Sequence, residues 1–138
     1  MLENINNGKA YSKFLELVKK QNGDISYIEN PEKFEKAKYI IPVYAEQTGH
    51  IEKLDARTVG VTSVHLGAGR VKKEDGIDYA VGIWLEKKIG DKVNSGDVLA
   101  YIHANDEEKG KQAVEELKQA YRIVEQPVKM EEYILGII

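Results

Sequence analysis

The sequence predicts an α+β fold. Three observations carry that reading. Amphipathic helical segments occur near both ends and once in the middle of the chain. Between them lie short β-prone runs broken by glycine turns. The two kinds of segment do not alternate as a regular strand–helix–strand series, so a doubly wound parallel sheet is not expected.

The first helix is read from Tyr11, Phe14, Leu15 and Val18, which fall at helical spacing with Ala10 and Leu17 beside them. Lys19 and Lys20 lie in its last turn, where cations favour the helix dipole. Asn22-Gly23 supplies a left-handed stop. Asn30-Pro31 opens a turn, with one helical turn expected over Glu32–Glu35. Tyr39–Glu46 is rich in β-branched and aromatic residues and reads as a strand. Pro42 lacks an amide donor, which places that strand at an edge or makes it irregular there. Gln47-Thr48-Gly49 reads as a turn, and His50–Leu54 alternates like a return strand. Asp55 is a helix cap, with Val59, Ser63 and Leu66 on one face, and Gly67-Ala68-Gly69 ends that helix. Arg70–Asp75 is a charged, solvated loop.

Ile77–Leu85 reads as a mostly buried strand. Two turns, Ile89-Gly90-Asp91 and Asn94-Ser95-Gly96-Asp97, flank Val93 and precede a strand over Val98–Ile102. The longest helix follows, with Asn105 as cap and Glu108 completing a capping box. Its apolar stripe is Ala113, Val114, Leu117, Ala120, Tyr121 and Val124. Tyr121–Glu125 and Tyr133–Ile138 are β-prone and are expected to close a sheet.

At 138 residues the chain is one domain's worth of polypeptide, long enough for a core. Apolar residues at 42% and charged residues at 31% describe a soluble globular chain rather than a disordered one. The net charge of −3 argues against a general nucleic-acid partner, which a basic excess would serve. With no cysteine, a disulfide scaffold, a Cys-ligated zinc site, an iron–sulfur cluster and a thiol nucleophile are excluded. The longest apolar run, Tyr39–Ala45, is far short of the roughly 20 residues that span a bilayer. No signal peptide is read at Met1–Asn4, so the expected location is the cytoplasm, with no membrane partner.

Signs of catalytic chemistry are sparse. His50, His65 and His103 are scattered, without the spacing that metal sites show, and no metal ligand is assigned. Ser63 and His65 cannot pair as nucleophile and base, since helical residues two apart face different ways. Gly67-Ala68-Gly69-Arg70-Val71-Lys72 fits neither the dinucleotide fingerprint nor the P-loop. A glycine turn followed by Arg70, Lys72 and Lys73 is still suited to an anionic ligand. The alternative is a helix stop followed by solvated charge.

Val81-Gly82-Ile83, Gly90-Asp91-Lys92-Val93 and Gly96-Asp97-Val98-Leu99 set short hydrophobic runs between Gly-Asp bends. This pattern resembles one half of a biotinyl/lipoyl-like barrel, and Ala45–Ile51 resembles the other half. A carrier of that kind needs a lysine in a tight hairpin. After Ile102 stand His103-Ala104-Asn105-Asp106 instead. Val128-Lys129-Met130 resembles part of a biotinylation site but lacks the preceding Met. A barrel is expected, and a swinging arm is not.

A more specific resemblance covers nearly the whole chain. Its blocks are Val43-Tyr44-Ala45 with Gly49-His50-Ile51, Leu54-Asp55-Ala56 with Val59-Gly60, and Leu66-Gly67-Ala68-Gly69-Arg70. Lys73-Glu74-Asp75 with Ile77-Asp78 and Val81-Gly82-Ile83 follow, then Gly90-Asp91-Lys92-Val93, Gly96, Leu99-Ala100 and Ile102-His103-Ala104. Upstream, Asn7-Gly8-Lys9-Ala10, Phe14 and Gln21 with Gly23-Asp24 also fit. Together these resemble the C-terminal domain of pyrimidine-nucleoside phosphorylases. Asn22 replaces a common glycine and Glu86 a frequent histidine. The resemblance implies a barrel-sandwich-hybrid, α-β hammerhead-like small β-barrel with flanking helices. Residues 1–138 form a single C-terminal phosphorylase domain on this reading, with 1–37 a helical lead-in and 38–138 the hammerhead-like barrel.

The parent family is a pentosyltransferase that splits pyrimidine nucleosides with phosphate, as a homodimer whose two lobes close on the substrates. Its phosphate segment, Lys-His-Ser-Thr-Gly-Gly-Val-Gly-Asp, has no counterpart here, and neither do its pyrimidine-holding Arg, Ser and Lys. No catalytic residue is therefore assigned, and no cofactor. Met1-Leu2 is read as a start at a domain boundary. The expected partners are the remaining lobes of the parent enzyme. The alternative is an independent barrel module for binding or carriage.

Within the domain, Gly67, Gly69, Arg70, Lys73, Glu74 and Asp75 are expected to form a lobe-closure loop. Arg70 offers a planar fork of donors. Lys73, Glu74 and Asp75 add charges for docking, and Ile77 and Val81 are expected to anchor the far end.

Overall fold

The computed structural model describes residues 2–128, which fall into a unit ending at Glu35 and a second beginning at Lys36. The first unit holds α1 (Leu2–Asn6), α2 (Lys9–Lys20), α3 (Ser26–Glu29) and a 3-10 turn at Pro31–Lys33. Helix α2 forms where the apolar spacing predicts it, and it stops as expected. Asn22 adopts φ 58, and the Asn22 and Gly23 N–H groups donate to the carbonyls of Lys19 and Val18. Helix α1 carries no apolar stripe and was not expected. The turn predicted at 32–35 starts one residue earlier, because Pro31 opens it, its preset φ suiting a first helical position.

The second unit runs β1 (Tyr39–Tyr44), β2 (Gly49–Leu54), α4 (Ala56–Leu66), β3 (Gly82–Leu85), β4 (Lys92–Val93), β5 (Val98–Ala104), α5 (Glu107–Ala120) and β6 (Tyr121–Val124). The strands form two antiparallel three-stranded sheets, β1-β5-β3 and β4-β2-β6. The α+β class holds. Among the described residues, hydrogen bonding does not close the two sheets into one barrel.

Helices α4 and α5 pack on the first sheet. Val43, Ala100, Ile102 and Ala104 of the sheet meet Leu66, Ala113, Leu117 and Ala120 in the larger core cluster. Gly110 brings α5 close to the sheet. A Cβ there would lie 2.6 Å from Ile41 Cδ1 and 3.2 Å from Ala104 Cβ. Ala45, Ile51, Val93 and Leu99 make a smaller cluster. Tyr121 packs against both clusters, and its hydroxyl donates toward the Lys87 and Leu99 carbonyls at 3.0 and 3.2 Å. Burial, with a smaller push from the Asp91 charge, raises the Tyr121 phenol to about 12.

Several expectations are corrected. β2 is not a return strand on β1; it pairs with β4 and β6. The Ala45 N–H donates instead to Asp97 O, and Gly96 N–H to Ala45 O, so the chain leaves β1 toward the 94–97 turn. The buried strand over 77–85 shrinks to Gly82–Leu85, because Asp78 diverts the preceding backbone. Its N–H donates to Gly67 O and its Oδ1 accepts from Ala80 N–H, a local alternative to the ladder. Asp106, not Asn105, caps α5 by accepting from Lys109 N–H, so the Asn105–Glu108 box does not form. The α5 stripe ends at Ala120, where the backbone turns extended at Tyr121 and Asp55 N–H takes the Ala120 carbonyl. On α4 the buried positions are Thr62 and Leu66, while Ser63 is only half-buried. Pro42 does lie in an edge strand, as predicted. The β-prone run 133–138, and Lys129-Met130, lie outside the described residues.

Candidate functional site

The loop from Gly67 to Asp75 begins on a well-formed helix end. At its other end, Asp55 caps α4 by accepting from the Thr58 hydroxyl and N–H, which holds its carboxyl below the ordinary carboxylate range. At the loop end, Gly67 N–H donates to Val64 O and Ala68 N–H to Ser63 O, a Schellman closure. Gly67 has φ 112, which a side chain resists. Gly69 is crowded instead: a Cβ there would lie 2.8 Å from Val64 Cγ2, so the Val64 side chain would have to shift. The expected conformational role is seen at Gly67, whereas at Gly69 the backbone is not left-handed and the constraint is one of space.

Asp75 folds the loop on itself. Its Oδ2 accepts from Val71 N–H at 3.1 Å and Lys72 N–H at 2.8 Å. That carboxylate is thus engaged inside the loop. Arg70, Lys73 and Glu74 are exposed, and they enter none of the ion pairs among the described residues.

The far end is anchored by a relay. Lys38 N–H donates to Asn105 Oδ1 at 2.9 Å, and Asn105 Nδ2 donates to Asp78 Oδ2 at 2.7 Å. Asn105, then the Ala80 amide, holds the Asp78 carboxyl below its usual value. Val81 is buried in the larger cluster, and Ile77 is half-buried. The loop is therefore fixed at both ends, with its charged tip outside.

A neighbouring arrangement escaped sequence reasoning. His65 of α4 faces Glu116 of α5, with Nδ1 at 3.1 and 3.0 Å from the two carboxylate oxygens. Gln112 Nε2 donates to the same carboxylate at 2.8 Å. Burial pushes the Glu116 carboxyl up, but His65, Gln112 and a weaker pull from the Thr62 hydroxyl outweigh it and leave it lowered. Thr62 Oγ1 is buried and reaches no partner at hydrogen-bond geometry. Only the i,i+4 spacing of Gln112 and Glu116 was visible in the sequence, since His65 is 51 positions away. The pair ties the two helices together one turn before the loop. An open groove runs from His65 past Gly67 and Gly69 to Asp75. Ser63 and His65 do not pair, as expected. Among the described residues, no group of three or more His, Asp or Glu side chains is placed to hold a metal ion.

A family model described as "Pyrimidine nucleoside phosphorylase C-terminal domain" matches residues 50–124. This chain belongs to that family. The match runs from β2 to β6 and so contains the loop, its Schellman closure and the Asn105–Asp78 anchor. The pyrimidine-nucleoside phosphorylases of Staphylococcus aureus strains USA300 and NCTC 8325 / PS 47 are 48% identical over 105 residues. That of the bovine strain RF122 / ET3-1 is 47% identical over the same length. The alignments cover 76% of this chain but only 24% of each relative, so the phosphorylase C-terminal domain described here spans about a quarter of the length of the curated relatives it matches. None of these matches is to a lipoyl or biotinyl carrier. No helix among the described residues is long and apolar enough to cross a membrane.

Proposed function

We propose that this domain serves a longer pyrimidine-nucleoside phosphorylase as a non-catalytic part that completes the closed substrate cleft. The parent would cleave pyrimidine nucleosides with phosphate to the base and (deoxy)ribose 1-phosphate, in the cytoplasm and as a homodimer. Residues 1–138 act in it as one C-terminal domain, 1–37 as lead-in and 38–138 as the hammerhead-like body. The finer fold assigned is a barrel-sandwich hybrid. Its support is what joins the two sheets: the Tyr121 hydroxyl of β6 donates to the Leu99 carbonyl of β5, and Ile51 and Val93 of one sheet pack with Leu99 of the other.

The observation that carries the functional reading is the loop anchored at both ends with Arg70, Lys73 and Glu74 presented outward. A rigidly based, charged tip suits docking across a cleft. Closure excludes water and completes a site, so a loop without reacting groups can still limit turnover. The remaining lobes of the parent are the partners, and Arg70, a planar fork, suits a carboxylate or phosphate oxygen on them.

The test is Arg70→Ala in the full-length enzyme, with melting and phosphorolysis measured side by side. Unchanged melting with at least about a tenfold fall in kcat/KM supports closure, equivalent to about 1.4 kcal/mol in the transition state. Activity equal to the unmodified enzyme at matched stability returns the loop to a solvated turn. The 138-residue chain alone is expected to release no uracil from uridine and phosphate.

A further inference from the structure

The two edges of the first sheet are built differently. β1 and β3 flank β5. Glu86 N–H donates to Leu99 O, so that residue pair is hydrogen-bonded in the β3–β5 register. Antiparallel pairs alternate, so Trp84 with Tyr101 and Gly82 with His103 are bonded inward. The main-chain groups of Ile83 and Leu85 therefore point to the outer edge. Across the sheet, the same alternation turns Tyr101 toward β3 and leaves Pro42 facing outward on β1. The amide that Pro42 lacks is thus one the β1 edge would otherwise expose. A register shift at Val43/Tyr44 further disrupts that edge.

β3 carries no such guard. Gly82-Ile83-Trp84-Leu85 has no charge and no proline, and its register runs unbroken. Natural edge strands are usually protected by such features or by being very short, and β3 has only its four-residue length. Trp84 is 63% exposed, on the face opposite the core. Among the described residues, no backbone bond from outside the sheet reaches Ile83 or Leu85.

We propose that the β3 edge accepts an extended, uncharged strand from the rest of the parent polypeptide, paired to the Ile83 and Leu85 main chain. This rests on the reading of the chain as part of a longer phosphorylase. Two arguments select that occupant over a second copy. A four-residue edge paired across a two-fold buries far less than the ~1,200 Å² of a stable interface. Covalent linkage removes that demand by raising the effective concentration of the partner strand. The relatives supply the linked chain, since this one matches 24% of their length.

Residue-resolved hydrogen exchange on the full-length protein tests it. Trp84 N–H, bonded to β5, is the internal standard. A paired edge keeps the Ile83 and Leu85 amides within about tenfold of Trp84. Exchange about a hundredfold faster than Trp84 or more, in the folded full-length protein, overturns the proposal. So does equal protection in the isolated chain, which puts the partner strand inside these 138 residues. Protection in the isolated chain that grows with protein concentration assigns the edge to a second copy and also overturns it. If the isolated chain does not fold, the full-length comparison decides alone. Phosphorolysis is assayed on the same sample. An active enzyme with fast edge amides keeps the functional reading and loses this one. Slow edge amides without phosphorolysis do the reverse.

Discussion

Helices α2 and α5 look alike as sequence and differ as structure. Both carry an apolar stripe at helical spacing and charged residues on the other side. α2 has no buried residue, whereas α5 buries Gly110, Ala113, Leu117 and Ala120. The difference is in what each stripe meets. α5 lies on a sheet face and beside α4, with Gly110 permitting the close approach. Within its own unit α2 lies beside α1 and carries local devices, its left-handed stop and the exposed pairing of Glu16 with Lys13 and Lys20. An amphipathic pattern is thus a statement about a helix, not about how firmly it is held.

The largest expected contrast is truncation. Leu117→Ala should lower stability by about 2–5 kcal/mol through lost burial and a cavity. Leu17→Ala on α2, 55% exposed, should change it by less than about 1 kcal/mol, with denaturant melts comparing the two. Equal losses would end the contrast. A smaller effect comes from Gly110→Ala. Helix propensity alone would make it stabilising by about 1 kcal/mol. Crowding against Ile41 and Ala104 should reverse the sign and make it destabilising by about 1–3 kcal/mol. A stabilised variant would show that α5 has room to shift.

The smallest effect compares Glu16 with Glu116. Both carboxyls are lowered, Glu16 by hydrogen bonds from Lys13 and Lys20 on an exposed face, Glu116 by His65 against its burial. A lowered folded value means stability that is present above the ordinary carboxylate pKa, about 4.3, and lost as pH falls through the folded value. Melting followed from neutral to acid pH should therefore show a shallower acid loss for Glu116→Gln. Added salt should screen Glu16 but leave most of the Glu116 effect. If Glu116→Gln follows the parent curve, the cross-helix pair contributes nothing to folding.

Local signals in the sequence were read correctly where a few neighbouring residues suffice. The Asp55 cap, the Asn22 stop, the Gly67 closure, the edge position of Pro42, helix α2 and the α5 stripe as far as Ala120 all depend on contacts within about one helical turn or on a missing amide. Of the loop, Gly67 and the exposed Arg70, Lys73 and Glu74 were legible, while the inward use of Asp75 was not. The family resemblance was legible too, because it is carried by blocks of adjacent residues.

What needed the tertiary structure is what joins distant segments. Asn105 has a good capping side chain, but Lys38 and Asp78 engage it, so Asp106 caps instead. β2 alternates like any return strand, yet its partners lie about 40 and 70 residues on, and alternation says which face is buried without naming the neighbour. His65 and Glu116 are 51 positions apart and meet only because α4 and α5 pack together. Local physics therefore determined most of the elements and the ends that close on their own neighbours, such as those at Asn22 and Gly67. Burial of shared apolar surface, which has no direction along the chain, decided which elements meet and left the loop from Gly67 to Asp75 anchored with Arg70, Lys73 and Glu74 outward and Asp75 turned in.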